Sequence, residues 1–498
     1  MSLVVFVVVS FGFAGAAIAV RARVRAAAVV GLTGLIAAVV AAIAVEPDQL
    51  VRIGDAGVAT TAYLRLFLVL GSVLGLGLAV AGAAGGTRRD APAVTLAILG
   101  AAGLTLGLID IRAAVLAATA GGLFGVLATL VPRGARAGAT VGILEARAVV
   151  VSGALAIAAT AWFGRDLGQL VAQPVVFGLA YLAFAVAVAI RFGAIPFHLW
   201  AARLADIVPE TSLPILTAFA PASLAVVALA WIDASVAPLA VDLGPERAIV
   251  LAIAIASIFL AGIAAFVQDD IEHVLGYSIV GDAGVILLAL AALDPEAWAP
   301  ARILVLGFIV ARGAFAAWVA GIRTGFWTGR VADLRGWALR SPILAIAFIF
   351  VILASVGIPG LVMFEARTSI VNLALDEPLS TLVPIGTLLP LAYYGRLLVI
   401  GLSRPDRSLE PVDAWRPRIT PLDLTGTRLW LQRTWDVNRA FTTATVAALL
   451  GLLAIATSAG AFDGPAAASG LPPSLPAPGD LVEPVGSGDL PPLGSEAP

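Results

Sequence analysis

The run Arg191-Phe192-Gly193-Ala194-Ile195-Pro196-Phe197-His198-Leu199-Trp200 ends an apolar stretch that begins near residue 171. Proline inside a helix removes a backbone hydrogen bond and leaves a carbonyl without its donor, which lipid tolerates only where protein or water resolves it. A second stretch, from about residue 341 to 374, is interrupted in the same way by Gly357-Ile358-Pro359-Gly360 and resumes through Phe364-Glu365-Ala366-Arg367. Each is long enough to cross a hydrocarbon core of roughly 30 Å, which takes about 20 apolar residues. The reading is therefore two broken transmembrane helices, with the breaks at Pro196 and Pro359. Two such breaks fit either inverted repeats with discontinuous helices near the bilayer midplane or a pair of simple kinks.

Working outward, fourteen apolar spans follow one another: 2–21, 25–45, 61–84, 91–109, 112–131, 139–162, 171–200, 211–232, 247–267, 272–293, 300–321, 341–374, 378–402 and 440–461. They are built from Ala, Leu, Val, Ile and Gly without a sustained polar face, so they predict buried or lipid-facing helices and an all-α polytopic membrane protein. Span one lacks a basic leading region and is followed by Arg21, Arg23 and Arg25, so it reads as a retained helix and not a cleaved signal. Loops after odd-numbered spans are rich in arginine (Arg88/Arg89, Arg133/Arg136, Arg323/Arg330/Arg335/Arg340), whereas those after even-numbered spans are mostly acidic (Glu46, Asp48, Asp55; Asp233, Asp242, Glu246; Asp294, Glu296). Positive charge stays on the cytoplasmic side, so the alternation predicts both termini on the outer side of a bacterial plasma membrane. The loop with Asp269, Asp270 and Glu272 departs from that pattern. Residues 403–439 read as an interfacial loop anchored by Trp415, Trp430 and Trp435, and the acidic, Pro/Gly-rich segment 462–498 reads as disordered.

Composition narrows the chemistry. Of 498 residues 60% are hydrophobic and 12% charged, against roughly a quarter charged in ordinary soluble domains. All 30 basic residues are arginine, and cysteine is absent. Disulfides, thiolate nucleophiles, Cys-ligated clusters, lysine Schiff bases and P-loop lysines are thereby excluded. Two histidines, His198 and His273, do not make a histidine-rich metal centre, and a net charge of −2 gives no footprint for nucleic acid. Glycine-rich windows such as 71–82 lie within a span and read as close helix packing.

Three motifs carry a resemblance. Ile195-Pro196-Phe197-His198-Leu199-Trp200, then Gln268-Asp269-Asp270-Ile271-Glu272-His273-Val274-Leu275-Gly276-Tyr277-Ser278, then Gly357-Ile358-Pro359 resemble, in order and separation, the antiporter-like subunits of respiratory complex I. That family also includes subunits of multi-subunit sodium/proton antiporters and of membrane-bound hydrogenases. The similarity spans about residues 45–402, and Tyr393-Tyr394-Gly395-Arg396 makes it most like the N subunit. The resemblance implies fourteen helices with two inverted five-helix repeats, helices 4–8 (residues 91–232) and 9–13 (residues 247–402), after an N-terminal unit of three (residues 1–90). It also implies a central axis of buried lysine, glutamate and histidine along which protons move, in a complex with other membrane-arm subunits and lipid.

Transferred position by position, the motifs keep the scaffold and change the titratable set. The family's lysines in helices 7, 11 and 12 fall on Arg191, Arg312 and Arg367, its helix-8 lysine near Ala220 or Pro221, and its helix-5 glutamate near Thr119. The histidine expected after Tyr277-Ser278 falls on Asp282, and a basic pair on Glu272-His273. Glu145 beside Arg147 reads as an interfacial pair, and Arg65 and Arg396 as packing or partner-facing charges without a nearby carboxylate. Arginine keeps its proton at any accessible pH, so these positions hold charge without exchanging a proton. Asp282, Glu365 and His198 remain as titratable candidates, with Arg191, Arg312 and Arg367 as electrostatic partners. Two readings stay open: closed structural ion pairs (Asp282 with Arg312, Glu365 with Arg367), or a modified proton path. The absence of lysine is equally open to codon bias. No cofactor or metal is expected in the chain, so any oxidoreductase activity would belong to an assembled complex; the alternatives are an antiporter or hydrogenase assembly, or a non-conducting paralogue.

Overall fold

A computed structural model describes residues 2–404 apart from 54–55, 85–90, 131–135, 162–173, 233–242, 327, 357–358, 360–361 and 377–378, together with residue 451. The expected segments 403–439, 440–461 and 462–498 lie outside the described residues except for 403, 404 and 451. The described chain is a helical bundle: α1 (Leu3–Ala19), α2 (Val24–Ile43), α3 (Ala62–Ala84), α4 (Ala91–Gly107), α5 (Ile111–Leu130), α6 (Arg136–Ala161), α7 (Pro174–Phe192), α8 (Leu199–Leu204), α9 (Ala220–Trp231), α10 (Gly244–Val267), α11 (Ile271–Ala292), α12 (Trp298–Phe326), α13 (Trp337–Arg340), α14 (Pro342–Val356), α15 (Val362–Ala374), α16 (Leu379–Thr387) and α17 (Leu389–Leu402). A π-helical turn, Ile215–Phe219, leads into α9.

Among the described residues eight helices are long and apolar enough to cross a membrane, and shorter apolar helices lie between them. The chain is an integral membrane protein of mostly helical fold. Its periphery is apolar: Val8, Val29, Val175, Val399 and Ile385 are exposed. Its interior holds charge instead, with Glu145, Arg191, Asp282, Arg302, Arg312 and Arg367 all buried. Lipid supplies no hydrophobic drive for helices to associate, so close packing and internal polar contacts hold such a bundle together. The two most enclosed spans are α11 and α12, 89% and 94% buried, and they carry Asp282 and Arg312 at the centre.

Two features depart from the sequence reading. The link between α2 and α3, read as an acidic loop, contains an antiparallel hairpin of β1 (Leu50–Ile53) and β2 (Ala56–Ala59), registered Leu50 to Ala59 and Ile53 to Ala56. Thr60 ties it down, donating from Oγ1 to the Glu46 carbonyl while accepting from the Gln49 amide. Span thirteen, read as continuous, is two helices, α16 and α17, separated at Leu388. Pro384 and Pro390 flank that point, each removing an amide that a continuous helix would use.

Candidate functional site

The first break begins where α7 ends at Phe192. Gly193 turns the chain with φ +65°, a left-handed conformation that favours glycine, and its Cα faces Ala201 so closely that a side chain there would clash. The freed groups find specific partners. The Trp200 indole donates to the Ile190 carbonyl at 3.1 Å, the Ala194 amide reaches the Ala189 carbonyl at 2.8 Å, and the Ile195 amide donates to Ser257 Oγ of α10 at 3.0 Å. Pro196, in a cis peptide with Ile195, sits exposed in the turn that leads into α8.

At the end of α7, next to the break, Arg191 is buried and its guanidinium packs directly on the Cα of Gly122 in α5. The carboxylate whose charge acts on it is Glu145 of α6, itself buried, which lies against Gly125 one turn further along α5. Two glycines on one face of α5 thus make room for a charged pair contributed by α6 and α7. This corrects the reading of Glu145 as an interfacial partner of Arg147: Arg147 is exposed, while Glu145 faces inward. A lone carboxylate within the apolar run Gly138–Ala161 was the available signal, since such a charge is costly in a membrane unless paired.

At the centre, Asp282 receives two arginines. Its Oδ2 lies 2.9 Å from Arg312 Nε and 2.6 Å from an Arg312 terminal nitrogen, and its Oδ1 lies 3.6 Å from Arg367. Arg312 also donates to the Tyr394 hydroxyl at 2.8 Å, which in turn donates to Ser355 Oγ at 3.1 Å. Tyr394 is held edge-on by Phe315 and Phe348, with ring centroids 5.2 and 5.6 Å away. A small pocket borders the cluster, lined by Tyr277, Ser278, Asp282, Arg367, Thr387 and Tyr393 among others.

Arg367 explains how the second break is accommodated. Its guanidinium donates to the Ser355 carbonyl at 2.8 Å and to the Val356 carbonyl at 3.4 Å, the last two residues of α14, and to the Thr387 carbonyl at 3.4 Å, where α16 ends. Pro359 is exposed between α14 and α15. Glu365, two residues before Arg367, is exposed on the other side of α15, as i and i+2 positions require, and does not join the cluster. His198 is half-buried with its ring 6.4 Å from that of Tyr277, and its Nδ1 has no hydrogen-bond partner among the described residues.

A separate ionic group closes one end of the bundle. Arg323 at the end of α12 pairs with Glu210 at 3.1 Å and with Glu272 at the start of α11, while His273 Nε2 lies 2.9 Å from Asp206. Arg396 is not without a carboxylate, as its sequence context suggested: it donates to the Gln268 carbonyl at 2.8 Å and lies 3.9 Å from Asp269. The fold and this interior define a polytopic helical membrane protein with discontinuous helices around a buried carboxylate and guanidinium axis.

Residues 154–390 match the family described as NADH:quinone oxidoreductase/Mrp antiporter, TM. Over that segment, just under half of its length, the chain is similar to this antiporter-like transmembrane family. NADH-quinone oxidoreductase subunit N of Halorhodospira halophila is 29% identical over 240 residues, covering 47% of this chain and 48% of the relative. The protein of the same name from Thioalkalivibrio sulfidiphilus is 30% identical over 202 residues, covering 40% and 41%. The chain thus spans about half the length, or less, of the curated relatives it matches. Among solved structures, the fold is similar to a chain in the structure of the Mrp complex from Dietzia sp., with a TM-score of 0.70 at 18% identity over 94% of this chain and 98% of that one. A chain of respiratory complex I from Thermus thermophilus is also similar, with a TM-score of 0.66 at 18% identity over 90% and 97%.

Proposed function

We propose that the chain is an antiporter-like, N-type membrane-arm subunit of a complex I-like NADH:quinone oxidoreductase, which helps couple electron transfer to proton translocation through a degenerate or rerouted proton path. The observation that carries this reading is the pair of buried charge groups next to the two helix breaks: Glu145 with Arg191 before the first, and Asp282 with Arg312 and Arg367 at the second. Ionisable side chains buried within a membrane bundle mark an ion pathway by default. Here the cations are guanidinium groups, which keep their protons, so the groups left to accept and release a proton are Glu145, Asp282 and His198.

The proposal includes two five-helix repeats, residues 91–232 and 247–402, each contributing one break, and a bacterial plasma-membrane location with the termini outside. Redox chemistry would belong to other subunits. The fold likeness to the Mrp complex supports one alternative, a subunit of a cation/proton antiporter assembly.

Two measurements test the proposal. Purification of the tagged chain in mild detergent is expected to bring down quinone-oxidoreductase subunits; co-purification of antiporter subunits alone would favour the alternative. In vesicles containing the assembled complex, Asp282→Asn and Glu145→Gln are expected to lower the number of protons moved per electron. An unchanged stoichiometry in both variants would overturn the proton-path reading while leaving membership of the complex intact.

A further inference from the structure

The surroundings of Arg367 have the chemistry of a cation site. Three main-chain carbonyls converge on its guanidinium, those of Ser355 and Val356 at the end of α14 and of Thr387 at the end of α16, and a carboxylate oxygen of Asp282 completes the set at 3.6 Å. The C-terminal end of a helix carries partial negative charge on carbonyls that have no intrahelical donor, so two such ends and a carboxylate make a strongly negative seat. Interrupted helices inside membranes bind monovalent cations in this way, through unwound carbonyls and half-helix C-termini. The Leu388 break matters here, because without it the Thr387 carbonyl would be spent inside a continuous helix. The seat adjoins the small pocket next to Asp282.

Charge balance points the same way. Asp282 gives its closer contacts to Arg312 and only the longer one to Arg367, so the second guanidinium is matched mainly by the helix ends. We propose that these four oxygens form a monovalent-cation seat and that Arg367 fills it as a tethered cation, keeping mobile metal cations out of the seat. Withdrawing the side chain would then create a site for guanidinium or sodium without altering the oxygen set. The inference goes beyond the proposed function, and its test needs no partner subunit.

The experiment is thermal unfolding of the full chain in mild detergent, followed by tryptophan fluorescence at constant ionic strength in choline chloride, sodium chloride or millimolar guanidinium chloride. Arg367→Ala is expected to lower Tm by several degrees, and guanidinium or sodium to restore at least half of the loss saturably, whereas choline does not. Neither cation should stabilise the wild-type chain in this way, since the seat is filled. Adding Asp282→Asn to Arg367→Ala should abolish the rescue. Absence of saturable rescue, equal rescue by choline, or rescue that survives Asp282→Asn overturns the proposal. If Arg367→Ala does not yield folded protein, Arg367→Lys and Arg367→Met decide: a higher Tm for the lysine variant supports a cation seat, and equal values overturn it.

Discussion

Asp282 and Arg312 face each other across α11 and α12, and one carboxylate oxygen takes both contacts to that guanidinium, leaving the other oxygen to Arg367. The carboxylate therefore compensates two cations from two elements, α12 and α15, and is the point at which the core of the bundle is tied together electrostatically. Removing one member of a buried ion pair costs far more than the pair contributes as a whole, because the survivor is left uncompensated. Asp282→Asn is expected to destabilise the chain by about 3–5 kcal/mol. Denaturant or thermal unfolding of the purified chain checks this. The double variant Asp282→Asn/Arg312→Met should recover a large part of the loss, because it removes the orphaned charge along with its partner. A single variant as stable as wild type would show that the pair bears no such strain.

Tyr394 lies between chemistry and packing. Its hydroxyl links Arg312 to Ser355, while its ring fills the space beside Phe315 and Phe348. Tyr394→Phe removes the hydrogen bonds and keeps the ring, so the expected cost is about 1–2 kcal/mol. Tyr394→Ala also opens a cavity and should cost about 3–5 kcal/mol. The difference between the two variants in the same unfolding assay measures how much of the role is packing.

Arginine recurs as a clamp on helix ends. Arg247 donates from Nε to the Ala291 carbonyl at 2.9 Å and from a terminal nitrogen to the Ala374 carbonyl at 2.8 Å, closing the ends of α11 and α15 together. A cation at a helix C-terminus gains about 0.3–2 kcal/mol from the exposed carbonyls, depending on burial. Arg247→Ala should therefore cost about that amount at each end, whereas Arg247→Lys, with a point charge in place of a planar fork, should retain the contact to one carbonyl and lose the other. Hydrogen exchange at the last turns of α11 and α15 would register the loss locally, and unchanged protection at both would refute the clamp.

Much of the fold was legible because it rests on local chemistry. The two breaks followed from proline and glycine in apolar runs, and the apolar helices of the described residues from hydropathy. That Asp282 would meet Arg312 was common to both readings of the charge set, and the two lie in contact as an ion pair. What the sequence hid was side-chain direction across elements. Glu145 sits two residues from Arg147, which suggested an interfacial pair, yet the two point to different sides of α6, and a buried cation on which the Glu145 charge acts is 46 residues away on α7. Glu365 and Arg367 show the same effect, one exposed and the other buried. The Leu388 break was hidden because Pro384 and Pro390 lie in a run that remains apolar throughout.

The pairing of Glu145 with Arg191 gives the sharpest functional prediction. Desolvation presses a buried lysine toward its neutral form, whereas an arginine stays protonated in the same place. Arg191→Lys would therefore place an exchangeable proton beside Glu145 at the first break, with Gly122 providing space that the smaller ammonium fills less fully. If the chain works within a proton-moving complex, Arg191→Lys should raise the number of protons moved per electron in reconstituted vesicles. Glu145→Gln in that background should cancel the gain, since the carboxylate is needed to stabilise the ammonium in one half of the cycle. A gain that survives Glu145→Gln would mean that the lysine exchanges its proton with some other group, and the pairing across α5 would then be structural only.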